Sequence, residues 1–187
     1  MTIYAVRSCR SPYYRELDFD VMDIIHSKPK DLHMDDILEA GQRNTAMAEW
    51  WTRPDVVFRS GNEPIPDISV WIDSTLLLSP KAYRFHFDML KDYGEFLPIL
   101  VESEEYFLFN CLTFCEEDPA YTNGEYQDDQ LIMLTRLRFA DSAEKSTLFK
   151  SSMEQGLTPY CNNCFKDAVE AFELKGLFFD DNLIEQY

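Results

Sequence analysis

Two cysteine pairs offer the first candidate chemistry, Cys111-x3-Cys115 and Cys161-x2-Cys164. Four thiolates can hold a tetrahedral zinc ion. The first pair sits on or beside an apolar strand, its spacing placing both cysteines on one face, and neither pair has the flanking glycines of a zinc knuckle. Cys161 and Cys164 stand at the start of a helix, where a thiol pKa falls, but the βαβ pattern of a thioredoxin-like redox site is missing around them. Cys9 makes the count five, an odd number that fits free thiols in a reducing compartment. The cysteines therefore read as small core or surface residues, and no metal is expected. His26, His33 and His86 form no metal pair, and His86 is expected at the surface or boundary of its helix. There is no Gly-x-Ser-x-Gly elbow, no Gly-x-x-x-x-Gly-Lys phosphate loop and no Gly-x-Gly-x-x-Gly fingerprint. Neither a catalytic residue nor a cofactor is read from these motifs.

The carboxylates are left. Asp35-Asp36, Glu116-Glu117 and Asp128-Asp129 are paired acids, without the central glycine and terminal glutamate of a calcium loop. Solvated loop faces are the plain reading. The functional reading is a surface complementary to a basic protein, with Glu116, Glu117, Asp118, Asp128 and Asp129 as the candidate partner-binding residues. Trp50, Trp51 and Tyr126 are aromatic types enriched in interface hot spots.

The charge balance points the same way. The chain has 187 residues with 17 Lys and Arg against 34 Asp and Glu, a net charge of −17. Residues 1–95 carry a net −5 and residues 96–187 a net −12. Such an excess repels nucleic acid and anionic lipid, and it steers basic surfaces inward at low salt. No basic-then-apolar leader opens the sequence and no apolar run approaches the roughly 20 residues that span a bilayer, so a cytoplasmic protein is expected.

The elements that must position these residues read as an α+β domain over 1–187: a mostly antiparallel sheet with helices packed on one face, plus a partly helical N-terminal extension. Residues 1–62 form an accessory layer, with one helix predicted from about Leu32 to Met47, and residues 63–187 form the main part. Asp67 to Ile72 reads as a strand. Ser79-Pro80 starts a helix that Gly94 stops. Phe96 to Val101 reads as an edge strand because of Pro98, and Glu102 to Glu105 as a hairpin turn. Tyr106 to Phe114 is a central strand. A long acidic loop runs from Glu116 to Gln130, and Leu131 to Phe139 returns as a strand. Asn162 or Asn163 caps a last helix ended by Gly176, and Leu177-Phe178-Phe179 adds a short strand.

Three stretches carry a likeness. They are Pro66-Asp67 with the capped helix after Ser79, then Pro98-Ile99-Leu100-Val101 leading to Tyr106-Phe107-Leu108-Phe109-Asn110, and last Phe165-Lys166-Asp167-Ala168-Val169-Glu170 followed by Leu174-Lys175-Gly176-Leu177-Phe178-Phe179. From about Asp67 to Phe179 the chain resembles the bacterial polymorphic-toxin immunity proteins of immunity family eleven, also called domain of unknown function 1629. The two cysteines and the acidic insert after Asn110 depart from that pattern. The resemblance implies a cognate inhibitor of a secreted or injected toxin, a protein partner and no enzyme activity. The charge adds that a nuclease toxin, basic around its cleft, would be blocked by an acidic phosphate mimic. The alternatives are a small hydrolase built on a His/Cys/Asp constellation and an adaptor with several weak partners.

Overall fold

The computed structural model describes residues 2–10, 13–25, 28–31, 33–128 and 130–184. β1 (Ile3–Ser8) opens the chain, followed by the two-residue β2 (Leu17–Asp18) and three short helices, α1 (Val21–Ile25), α2 (Met34–Leu38) and α3 (Ala40–Arg43). Then come β3 (Asp55–Phe58), β4 (Ile68–Val70), β5 (Thr75–Leu78), α4 (Pro80–Leu90), β6 (Gly94–Val101), β7 (Glu104–Cys111) and β8 (Phe114–Cys115). The last third holds β9 (Asn123–Gln127), β10 (Gln130–Arg136), a 3-10 turn at Asp141–Lys145, β11 (Leu148–Ser151), β12 (Pro159–Asn162), α5 (Asn163–Ala171) and β13 (Leu177–Asp180).

These elements make an α+β fold of two mixed sheets and a separate ribbon. One sheet has six strands in the order β2-β3-β6-β7-β5-β4, the other five in the order β13-β1-β12-β11-β8, and β9 and β10 pair only with each other. Pairing is antiparallel except between β3 and β6 and between β11 and β8. Glu102 and Ser103, both at positive φ (51° and 75°), turn the β6–β7 hairpin in the sense that matches strand twist.

Pro98 does not mark an edge, because β6 lies between β3 and β7. The Leu100 N–H donates to the Pro54 carbonyl, so position 98 faces the same side just beyond the start of β3, where no ladder donor is needed. The Pro98 carbonyl accepts from Trp51 Nε1 at 2.8 Å. The strand expected from Tyr106 to Phe114 is also two strands. β7 ends at Cys111, and after Leu112-Thr113 the chain enters the other sheet as β8.

Both longer helices are capped at their N-termini as their sequences predict, but Gly94 does not stop α4: the helix ends at Leu90 and Gly94 begins β6. Ser79 Oγ accepts from the Ala82 N–H at 3.2 Å, with Pro80 in the first turn. Asn162 Oδ1 accepts from the N–H groups of Cys164 and Phe165. Gly176 does not stop α5. The helix ends at Ala171 and Glu173 takes the left-handed conformation at φ 51°.

Strand alternation divides the apolar interior into three layers. Leu76, Leu78, Phe109 and Cys111 of the six-stranded sheet meet Val6, Leu148 and Cys161 of the five-stranded sheet, together with α4 and α5. Leu77, Leu97, Ile99 and Leu108 point the opposite way, onto Phe19, Ile24, Ile37 and Met47 of the N-terminal third. Ala5, Phe149 and Tyr160 form the third layer with Leu137, Phe139 and Ala143.

Two expectations are corrected by this arrangement. Helical segments cover both faces of the six-stranded sheet rather than one. The N-terminal residues are no extension: β1 sits between β13 and β12, and β3 pairs with β6. The role of β1 is hidden in the sequence because the strand is short and its partners, β12 and β13, lie more than a hundred residues away. The helix expected from Leu32 to Met47 is two short helices, closed by Asn44 in the left-handed conformation at φ 51°.

Candidate functional site

The stretch expected as a long acidic loop is largely the β9–β10 ribbon. Its base is clamped. The Asp118 N–H donates to the Arg138 carbonyl at 2.8 Å, the Ala140 N–H to the Glu116 carbonyl at 2.9 Å, and Thr122 Oγ1 to the Arg138 carbonyl at 2.9 Å. The Arg138 guanidinium lies 4.4 Å from the centre of the Tyr121 ring. Beyond the base the ribbon exposes Tyr126 (58%), Ile132 (62%) and Met133 (45%). Register shifts after Leu131 and Leu134 leave Ile132 and Thr135 without partners across the ribbon. Leu134 packs against the third apolar layer.

The structure separates the four described candidate carboxylates. Glu116 and Asp128 are exposed. Glu117 is half-buried and held: its Oε1 accepts from Ser151 Oγ and from the Met153 N–H at 3.1 Å. Asp118 Oδ1 accepts from the Ala120 N–H at 3.0 Å, and its carboxylate lies 3.8 Å from Arg138 Nε. Asp129 lies outside the described residues. Trp50 and Trp51 pack against the second apolar layer rather than on the ribbon.

A second feature is a cleft of about 790 Å³ between the end of β1 and the β4–β5 turn. Arg7, Arg10, Arg15 and Arg59 line it, four of the nine arginines of a strongly acidic chain. Arg15 is anchored, with Nε donating to the Arg59 carbonyl at 2.8 Å and one Nη to the Phe58 carbonyl at 3.1 Å. Arg59 pairs with Glu16 at 2.7 Å, and Arg7 with Asp180 at 3.4 Å. Trp71 forms part of the wall, stacked on Phe19 at 5.1 Å. Sequence reading missed this cleft because its arginines are scattered over 53 positions and share no motif.

Beside the cleft a buried lysine ties the five-stranded sheet to α3. Lys150 of β11 is fully buried, and its Nζ donates to the Gly41 carbonyl at 2.6 Å and lies 4.7 Å from the Phe114 ring centre. Burial pulls its pKa down to about 8, against the opposing pull of Cys111 and Asp73. Burial also raises the Asp73 carboxyl pKa, and Lys150 partly offsets that. Gly156, at φ 68°, brings its Cα against the Gly41 carbonyl with no room for a side chain.

Cys111, Cys161 and His86 are packed rather than poised. Burial pushes the Cys111 thiol up to about 11 and raises the Cys161 thiol further, so both stay protonated. Cys111 and Cys115 fall in different sheets, and Cys164 is exposed while Cys161 is buried. Among the described residues no group of three or more His, Cys, Asp or Glu is placed to hold a metal ion. His86 is buried, not at a boundary, because the ring fits between α4 and α5 against Phe165 and Phe172. Its Nδ1 is 3.1 Å from the Ala82 carbonyl, which fixes the proton there and leaves Nε2 buried without a partner. Burial lowers its pKa.

No helix among the described residues is long and apolar enough to cross a membrane. Neither a protein-family model nor a curated protein sequence matches the chain.

Proposed function

We propose that the chain is an immunity protein: it binds a cognate bacterial toxin in the cytoplasm and blocks it, with no catalytic step and no cofactor of its own. One observation carries the reading. The β9–β10 ribbon pairs with neither large sheet and presents Tyr126, Ile132 and Met133 to solvent beside Glu125 and Asp128. Exposed apolar side chains ringed by charge are the composition of a protein-docking surface. The acidic rim favours a partner with a basic surface, such as a nuclease around its phosphate-binding cleft. The likeness of the closing helix and strand to immunity family eleven supports the same reading. The rim set of acids is now Glu116, Glu125 and Asp128, since the Glu117 carboxylate is spent on Ser151 and Met153 and that of Asp118 on Ala120 and Arg138.

The test is growth. Variable C-terminal toxin domains encoded beside the gene are expressed with and without this chain. The proposal expects one domain that stops growth alone and is silenced by wild-type chain but not by Tyr126→Ala/Ile132→Asp. If every neighbouring domain that stops growth does so equally with the chain present, the proposal fails.

A further inference from the structure

The cleft is unlike the rest of the surface. The chain carries twice as many acids as bases, yet among the described residues four arginines and three acids, Glu16, Asp20 and Asp73, line the cleft. Two of those acids are already used. Glu16 is paired with Arg59, and Asp20 Oδ1 accepts the Met22 N–H at the start of α1. Asp73 faces the field of the buried Lys150. Among the described residues Arg10 has no hydrogen bond or ion pair, so its five N–H donors are open. Arg15 commits two donors to backbone carbonyls and keeps three, on a guanidinium already fixed in place. Aromatic rings share the walls: Tyr13, Tyr14 and Trp71. The volume is that of a small-molecule site.

We propose that this cleft binds a small aromatic phosphate, with the phosphate held by Arg10 and Arg15 and the ring laid against Tyr13 or Trp71. Arginine matches phosphate because its planar fork gives two parallel, charge-assisted hydrogen bonds. The pre-anchored Arg15 loses little freedom on binding, which favours the bound state. The surrounding acidic field opposes any anion, but it is screened beyond about 8 Å at physiological salt, whereas the arginine contacts act at hydrogen-bond distance. The inference does not rest on the toxin-binding reading, since the cleft and the ribbon share no lining residue.

Calorimetric titration at physiological salt tests it, with adenosine monophosphate, O-phosphotyrosine, adenosine and inorganic phosphate as probes. The first two distinguish a nucleotide from a phosphoaryl source. The expected result is that at least one of them binds with Kd below about 1 mM and at least about tenfold more tightly than adenosine or phosphate. Arg10→Ala should weaken that binding about tenfold or more with an unchanged unfolding midpoint, because Arg10 makes no bond within the fold. Cys9 also lines the cleft, so the same probe should slow its alkylation by iodoacetamide while exposed Cys164 reacts at the unliganded rate. No binding by either aromatic phosphate, or equal binding by wild type and Arg10→Ala, overturns the proposal.

Discussion

The lysine junction and the β9–β10 ribbon put charge to opposite uses. At the junction one ammonium is buried between β11 and α3, with a backbone carbonyl and an aromatic ring as its contacts. On the ribbon, Glu125 and Asp128 stand in water beside exposed Tyr126, Ile132 and Met133. A buried charge costs several kcal/mol unless its geometry repays it, whereas exposed charges cost almost nothing until a partner arrives. Mutations at the first site should therefore move stability, and mutations at the second should move binding alone.

The largest effect expected is at the junction. Gly156→Val adds a branched side chain at a positive φ, against the Gly41 backbone carbonyl. A loss of about 3 kcal/mol or more in urea unfolding is expected. A near-neutral result would mean that the β11–β12 turn does not pack on α3 as described.

Lys150 gives a pH signature of similar size. Its folded pKa of about 8 lies below the unfolded value near 10.4, so the unfolded chain binds more protons between the two. The folded state carries the full cost below about pH 8 and sheds it as pH rises through that window. Stability of wild type relative to Lys150→Met should thus rise by about 3 kcal/mol from about pH 7 to about pH 10.5. Parallel curves for the two proteins would break the assignment of a buried, charged lysine.

On the ribbon, Tyr126→Ala/Ile132→Asp should weaken toxin binding by about 100-fold while changing unfolding free energy by no more than about 0.5 kcal/mol. A matching drop in stability would erase the contrast between the two regions. His86→Leu removes the bare Nε2 and should stabilise the α4–α5 contact by about 1 kcal/mol. Because the folded pKa of His86 is depressed, wild type loses stability as pH falls below about 6.5, and the variant should lose less over that range. The smallest effect concerns Glu116→Lys/Asp128→Lys, which should slow association with the toxin several-fold at low salt, with little change at high salt.

Much of the fold was legible where a local signal decides the structure. Ser79 and Asn162 cap their helices, the β6–β7 turn falls at Glu102-Ser103, and Leu177 begins the final strand. Long-range pairing was not legible. Nothing local in Ile3 to Ser8 announces a strand enclosed by β12 and β13, and Pro98 misled because its exemption from the ladder depends on where β3 begins. The acidic region was found as a region, but its roles were not separable: Glu117 and Glu116 are adjacent and alike, and only the placement of Ser151 and Met153 distinguishes them. The cleft arginines and Lys150 gave no pattern, since their meaning lies in burial and in partners distant along the chain.

The central claim is that the ribbon grips a toxin. Its most direct test is the binding rate and affinity of the purified chain for the growth-inhibiting domain encoded beside it, measured by surface plasmon resonance at two salt concentrations with wild type and Tyr126→Ala/Ile132→Asp. The account predicts tight binding by wild type, association that slows as salt rises, and dissociation that is about 100-fold faster for the ribbon variant. Equal affinity of both proteins for the toxin domain, or no binding by wild type, would contradict it.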